Sequence, residues 1–497
     1  MMGRQKSVQQ KLFYNRINLE KRIRDDHILR AINAHIDFEF IYNEVEDTYG
    51  DNGNVSVPPP VILKLMLLLI LYDIRSEREL METIPERLDW LWFLGYDLDD
   101  DIPNHSVLSK ARNRWGAEAF KSFFERIVFQ CHEANLIDGS KIFADASLVQ
   151  ADASNNSVVN QQSLKRYLNK SYRELENRLE QQHDNEAKHG KANRTHISTT
   201  DPDASVVRMG PGRSKLRYKI HRAVDEKAEV ITATAVTAGE LNEAHLLPTL
   251  IDQHQNNTGQ TVKTAVADSK YGTIDNYLDC CDRNVHPHFE SFDQSHRGTG
   301  SRKDIFEPSD FIYNPDEDLF ICPAGELLEP RKFKKNRNHH EYSLPAKVCD
   351  NCVLKAKCTR SKQGRTIKRH IRQDDLDKML IEAQSRSSKK DIRKRQHLME
   401  RSFAQSTRYG YKRARWRRLW RVEIQEYLTA TIQNIMVLIK KVKEQSRAIA
   451  VKLNQPRTRK ALSLFSFFTR SALLIIYHYS YQYLQYNLAL ESKSSQL

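Results

Sequence analysis

The stretch KIFADASLVQADAS, residues 141–154, decides how the chain is read. An apolar run of β-favouring character is broken by Asp145, and a second acid follows at Asp152. A carboxylate left unpaired in a core costs several kcal/mol, so Asp145 calls for a metal ion or a basic partner. The sequence downstream supplies its setting. LRYKIHRAVDEKAEVITATAVTAG (216–239) is two alternating runs around Asp225, Glu226 and Lys227, the pattern of a β-hairpin. GELNEAHLLPTLIDQHQ (239–255) has helical spacing, and TVKTAVADSKYG (261–272) is a further strand ending at an acid, Asp268. TIDNYLDCCDRN (273–284) reads as a helix and VHPHFESF (285–292) as a last strand. Three strands, helix, strand, helix, strand predict a mixed α/β core.

Outside this core the texture changes. Residues 20–135 have helical spacing throughout. VILKLMLLLILYDI from Val61 follows Pro58–Pro60, is too short to span a bilayer and carries Lys64, which predicts a buried helix. Ser76 and Glu79 have the spacing of a capping box. HSVLSKARNRWG (105–116) predicts a short helix capped by Ser106, with Lys110, Arg112 and Arg114 exposed as a solvated or DNA-facing side. LKRYLNKSYRELENRLEQQ (164–182) is coiled-coil-like. EIQEYLTATIQNIMVLIKKVKE (423–444) puts Ile424, Leu428, Ile432, Ile435, Met436 and Ile439 on one face, a helix that docks on a core. The expected domains are 1–135, helical; 136–320, the first part of the α/β core; 321–372, a cysteine-rich, loop-rich insertion; 373–450, the second part of the core; and 451–497, a tail.

The composition narrows the function classes. With 39% hydrophobic and 29% charged residues in 497, the chain is globular rather than disordered. A formal net charge of +14 points to a polyanionic partner, nucleic acid before an anionic membrane. The polar N-terminus lacks the apolar segment of a secretory signal, and SALLIIYHYSYQYL near the C-terminus is interrupted by His478. A cytoplasmic, nucleoid-associated protein without a membrane role is expected. Seven cysteines are too few for a disulfide scaffold in a chain of this length. Cys131, Cys280 and Cys281 fall on helices as buried apolar residues. Cys322, Cys349, Cys352 and Cys358 cluster, and their C-x2-C pair with flanking cysteines matches a tetrahedral thiolate zinc site, the staple of a small insert with little core.

A third acid completes the set that Asp145 and Asp268 begin. Glu400, in HLMERSFAQSTRYG (397–410), lies on a helix with an apolar side at Leu398, Met399 and Phe403. Three carboxylates from two strands and a packed helix can converge, and such oxygen donors suit two Mg²⁺ or Mn²⁺ ions of the kind that clamp a phosphoryl transfer. Just beyond, STRYGYKRARWRRLWRV concentrates Arg408, Lys412, Arg413, Arg415, Arg417 and Arg418 among Tyr409, Tyr411, Trp416 and Trp420. Guanidinium groups bind phosphates and aromatic rings stack on unpaired bases, so this run is the expected DNA contact. RKFKKNRNHH (331–340) is a second basic patch.

In the order and spacing of these motifs the chain resembles the DDE transposases of bacterial insertion sequences. IFADASLVQADAS resembles their first-strand motif and AVADSKYGTIDN their second-aspartate motif. The block from HLMERSF to NIMVLIK resembles the third, with Glu, then Phe three residues on, then basic and aromatic residues and a helix containing Asn. The likeness runs over residues 20–445. It implies an RNase H-like mixed-sheet core behind an all-α domain, with a small zinc-ribbon-like insertion. It implies a metal-binding triad of Asp145, Asp268 and Glu400 that cuts DNA at the element ends and joins it to a target, in a homodimer. Where the family often has a Lys seven residues after the Glu, this chain has Thr407, with Arg408 next. A catalytically inactive DNA-binding relative, or a nuclease that cuts without joining, are the alternatives.

Overall fold

Proline starts the helix at the centre of the N-terminal region. The structure, a computed structural model, describes residues 2–4, 18–51, 53–160, 193, 195–208, 211–291 and 305–454. The longer N-terminal helices are α1 (Ile28–His35), α2 (Pro59–Leu71), α3 (Glu77–Thr83), α4 (Leu88–Leu94), α5 (Ser106–Trp115) and α6 (Glu118–Glu133). Prolines at the first turn of α2 cost nothing, because those amides have no helical acceptor. Every residue from Pro59 to Ile70 is buried, Lys64 included. Its ammonium donates to Asn33 Oδ1 (2.9 Å) and the Phe93 carbonyl (3.0 Å) and lies over the rings of Phe38 and Phe93, while burial lowers its pKa to about 8. Ser76 caps α3 by accepting from the Glu79 amide at 3.1 Å. Two expectations for α5 are corrected. Ser106 is its first helical residue rather than its cap, and its amide donates to Asn104 Oδ1. Arg112 is buried and ion-paired with Glu77 instead of exposed.

The core begins with β1 (Lys141–Gln150). On one side it pairs antiparallel with β2 (Lys215–Asp225), which pairs antiparallel with β3 (Ile231–Ala238). On the other side β4 (Thr264–Val266) runs parallel to β1, and β5 (His286–His288) parallel to β4. The spatial order is therefore β3-β2-β1-β4-β5, with a short strand, Ser205–Val207, also on β2. The crossovers are α7 (Leu247–Thr258) and α8 (Ile274–Arg283). They bury one face of the sheet: Ile142, Ala144, Ala223 and Ala233 pack with Leu250, Ile251, Tyr277 and Cys280. The alternation read from the sequence is this face and its opposite.

A second sheet follows where a loop-rich insertion is expected. β6 (Ile312–Asn314), β7 (Leu319–Ile321), β8 (Leu327–Lys334), β9 (His339–Ser343) and β10 (Thr366–His370) form an antiparallel meander. It has its own core of Phe311, Phe320, Leu328, Tyr342 and Ile367, so it does not depend on a staple alone. The chain then returns to the first sheet through α9 (Gln373–Ala383), α10 (Arg386–Thr407) and α11 (Leu419–Asn454).

Within α11, Ile424, Leu428, Ile432 and Ile435 are buried, as their spacing predicts. Asn434 accepts from the Ile231 amide (2.9 Å) and donates to its carbonyl (2.8 Å), which fixes the helix against the start of β3. Residues 1–437 form one unit; the second, 438–497, holds the end of α11. The coiled-coil-like stretch 164–182 and the tail from 455 onward lie outside the described residues. Among the described residues no helix is long and apolar enough to cross a membrane.

Candidate active site

The parallel pairing of β1 with β4 sets the site. Phe143 is level with Val266, and the same register carried two residues further brings Asp145 level with Asp268, just past the carboxyl end of β4. Neighbouring strands stand roughly 4.8 Å apart. Both have raised pKa values, chiefly because burial disfavours their charged forms, and the charge of Asp268 adds to the shift of Asp145. Asp268 also caps the turn Ser269–Tyr271, accepting from the Lys270 amide at 3.0 Å. Asp145 Oδ1 accepts from the Ala146 amide at 2.8 Å.

A third buried carboxylate joins them from an unexpected place. Glu243 lies in the turn after β3, is 4% exposed, and raises the pKa of both aspartates. Lys270 Nζ stands 2.7 Å from Glu243 Oε1, and Lys219 Nζ 3.6 Å from Oε2. The charge of Asp145 is met by a guanidinium: Arg395 Nη1, from α10, donates to Asp145 Oδ2 at 2.6 Å. Arg395 is thus the compensating partner that the opening stretch requires.

Glu400 shares α10 with Arg395 but not its direction. Five residues further along, it is displaced by about 7.5 Å up the axis and turned about 140° around it. It is exposed, and Gln396 Nε2 donates to it at 3.3 Å. The structure therefore brings Asp145 and Asp268 together and leaves Glu400 on the flank of the helix that covers them. Beside Asp145 on β2, Arg222 is fully buried in a two-pronged ion pair with Glu426 (2.6 and 2.9 Å), and its guanidinium also donates to Ser402 of α10. This pair ties α10 and α11 to the sheet and fixes the height of Arg395.

A family model described as a transposase domain (DUF772) matches residues 17–114, and one described as a transposase DDE domain matches residues 321–439. Both matches are to transposase domains, and together they support a DDE-type transposase of an insertion sequence. As such the chain is an enzyme that cuts and joins DNA. The second match takes in the cysteines, Arg395, Glu400 and the basic run, while Asp145 and Asp268 precede it. No curated protein and no solved structure matches the chain.

The four clustered cysteines of the transposase meet. Cys322, Cys349, Cys352 and Cys358 border one cavity of about 30 Å³ in the second sheet, with Phe311, Leu328 and Leu344. Burial raises the Cys358 thiol, and the other three cysteines add to the shift. A Cβ on Gly364 would stand 2.9 Å from Cys349 Sγ, so the backbone comes close enough to wrap the cluster. Among the described residues no group of three or more His, Cys, Asp or Glu side chains is arranged to hold a metal ion as it stands. Cys131 and Cys280 are buried as expected, and Cys281 is half-buried.

The basic run of the transposase is a strap between the helical region and the core. Its backbone extends the end of β1: the Gln150 amide donates to the Lys412 carbonyl and the Ala414 amide to the Gln150 carbonyl. Arg415, expected to face DNA, turns inward and is held by Asp73 and the Ile74 carbonyl. Trp416 is likewise spent within the fold: its indole N–H donates to Glu77 Oε1 (3.1 Å), and the Arg112 guanidinium lies 4.1 Å from its ring centre. Arg413 and Arg417 pair with Asp152 at 2.8 and 3.3 Å. Arg418 takes a positive φ of 80°, and its amide donates to the buried Asp201. Arg408 and Lys412 are exposed. The sequence reading thus missed Glu243 and Arg395. In sequence Glu243 is an ordinary acid beside the capping Asn242, and Arg395 lies in a run of cations that resembles a solvated face.

Proposed function

We propose that Asp145, Asp268 and Glu400 form the reaction centre of an RNase H-like core that cuts the ends of a mobile element and joins them to target DNA. The level register of Asp145 and Asp268 on neighbouring parallel strands carries this reading. The strand order, with β1 to β3 antiparallel and β4 and β5 parallel to β1, supports the fold assignment. Water attacks the scissile phosphodiester and frees a 3′-hydroxyl, which attacks a phosphodiester of the target. Each step exchanges one P–O bond for another, so no protein nucleophile is needed.

The donor set fits hard cations. It is all oxygen, and desolvation outweighs the neighbouring cations and raises both aspartates, a condition that a bound dication relieves. Two Mg²⁺ or Mn²⁺ ions held there would supply activation of the attacking oxygen and stabilisation of the leaving one. The residues of the chain orient and balance. Arg395 fixes Asp145 and puts a guanidinium at the mouth of the site, while Glu243 holds Lys270 and Lys219 beside Asp268.

Glu400 enters by approach of its exposed flank, the DNA being held between two copies of the chain. Glu400→Gln is expected to reduce strand-transfer products from a pre-cut 3′-end substrate at least about 100-fold, equivalent to about 2.7 kcal/mol. Wild-type transfer by this variant would exclude Glu400 from the triad. Cutting without joining by the wild-type chain would instead favour a nuclease.

The thiolate cluster fits a structural zinc ion. Four sulfur donors around one small cavity, one of them raised by burial, are a set that a soft dication relieves. Zinc analysis of the purified chain and of Cys349→Ser is the test; a wild-type chain free of zinc would remove this assignment.

A further inference from the structure

The second sheet carries a set of cations that the fold does not use. Arg331, Lys332, Lys334, Lys335 and Arg337 fall within seven residues that contain no acid. They occupy the hairpin of β8 and β9 and its connecting turn, Lys335–Arg337. Four of them are exposed and Lys334 is half-buried. Among the described residues none of the five has a carboxylate within ion-pair distance, whereas Arg413, Arg415 and Arg417 each have one. Lys368, exposed on the adjoining β10, is in the same condition. The acid nearest in register is Glu341, across from both Lys332 and Lys368, and it lies 3.6 Å from His339.

The hairpin is built to hold these charges outward. Tyr342 and Ile367 point into the core of the sheet, so Glu341, Lys332 and Lys368, one position out of phase, share the opposite face. The register shifts between Pro330 and Lys332, which leaves Arg331 as an extra residue on the edge. Asn338, at a φ of 47°, closes the turn and keeps the tip narrow. Phe333 is 48% exposed and leans on His340 with 4.8 Å between ring centres, at the base of the cationic tip. Five like charges on a two-stranded ribbon repel one another, and Glu341 is the one acid set across from them in register. A polyanion relieves the repulsion, and a two-stranded ribbon has the width to lie along or within the major groove of a duplex.

We propose that the β8–β9 hairpin is a duplex-DNA binding surface that grips the phosphate backbone, separate from the carboxylate site. The proposal rests on the chain being a transposase and adds where it holds DNA. The contacts are to phosphates, so they are independent of sequence and strongly dependent on salt.

The test uses the full chain and a triple variant, Lys332→Gln, Lys335→Gln and Arg337→Gln, titrated with a fluorescent duplex over a range of salt concentrations. All three positions are exposed, so the melting temperature is expected to match the wild type. Duplex affinity is expected to fall at least about tenfold, and the slope of log K against log salt to shrink by about 2 to 3, near 0.9 per lost phosphate contact. Unchanged affinity and slope, beside a wild type that binds, overturn the hairpin assignment and leave the transposase reading intact. A wild type that binds no duplex overturns both. Loss of RNA binding with duplex binding preserved overturns the choice of partner.

Discussion

Two basic stretches of this chain look alike in sequence and behave differently in the fold. Residues 408–421 are rich in arginine and tryptophan, and residues 331–337 are rich in lysine. In the first, Arg413, Arg415 and Arg417 each have an acid from elsewhere in the chain, and Trp416 is hydrogen-bonded to Glu77. In the second, no cation has an acidic partner among the described residues. Charge density along a sequence therefore does not measure charge available to a ligand. The partners that decide it, Asp73 and Asp152, lie hundreds of residues away. Trp416 beside arginine is the mark of a packed strap as much as of a base-stacking platform.

The contrast can be broken by substitution. Arg415→Ala is expected to have the largest effect on the fold, about 2 to 3 kcal/mol of lost stability by denaturant titration, because it empties a largely buried position and leaves the Ile74 carbonyl without its donor. A variant as stable as the wild type would show that the strap is not structural. The triple hairpin variant comes next: an affinity loss of about tenfold, about 1.4 kcal/mol, with no loss of stability. Arg413→Gln should do least. Its ion pair with Asp152 is solvent-exposed, so stability should move by under about 0.5 kcal/mol and duplex affinity by less than a factor of about 3. If Arg413→Gln weakened DNA binding more than the triple variant, the roles of the two stretches would be reversed.

What was legible in the sequence follows the same division between local and distant causes. The first sheet was readable because β2 and β3 alternate cleanly and because Asp145 and Asp268 interrupt apolar runs. The burial of α2 was readable from an unbroken apolar run with prolines at its start. The second sheet was not, since β8 buries only Leu328 fully and its exposed residues erase the period of two. Arg395 was hidden for a related reason: on a helix with basic residues on most sides, nothing local distinguishes the one cation that meets a carboxylate. Glu243 required knowing that the turn after β3 folds back beside Asp268. The three acids expected to meet were found as two together, with the third on the flank of the covering helix.

The central claim is that Asp145 and Asp268 are the chemical centre. The direct measurement is strand cleavage of a duplex carrying the element end, in Mg²⁺, by the wild type and by Asp145→Asn, with duplex binding measured in parallel. Cleavage must be followed against pH as well. Burial raises both carboxyls in the metal-free chain, and they must lose their protons to hold Mg²⁺, so the Mg²⁺ concentration needed for cleavage is expected to climb on acidification sooner than ordinary carboxylates would require. The account predicts binding within a factor of about 3 of wild type and cleavage reduced by at least about 1,000-fold in Asp145→Asn, about 4 kcal/mol of lost transition-state stabilisation. Cleavage by that variant at the wild-type rate would contradict it.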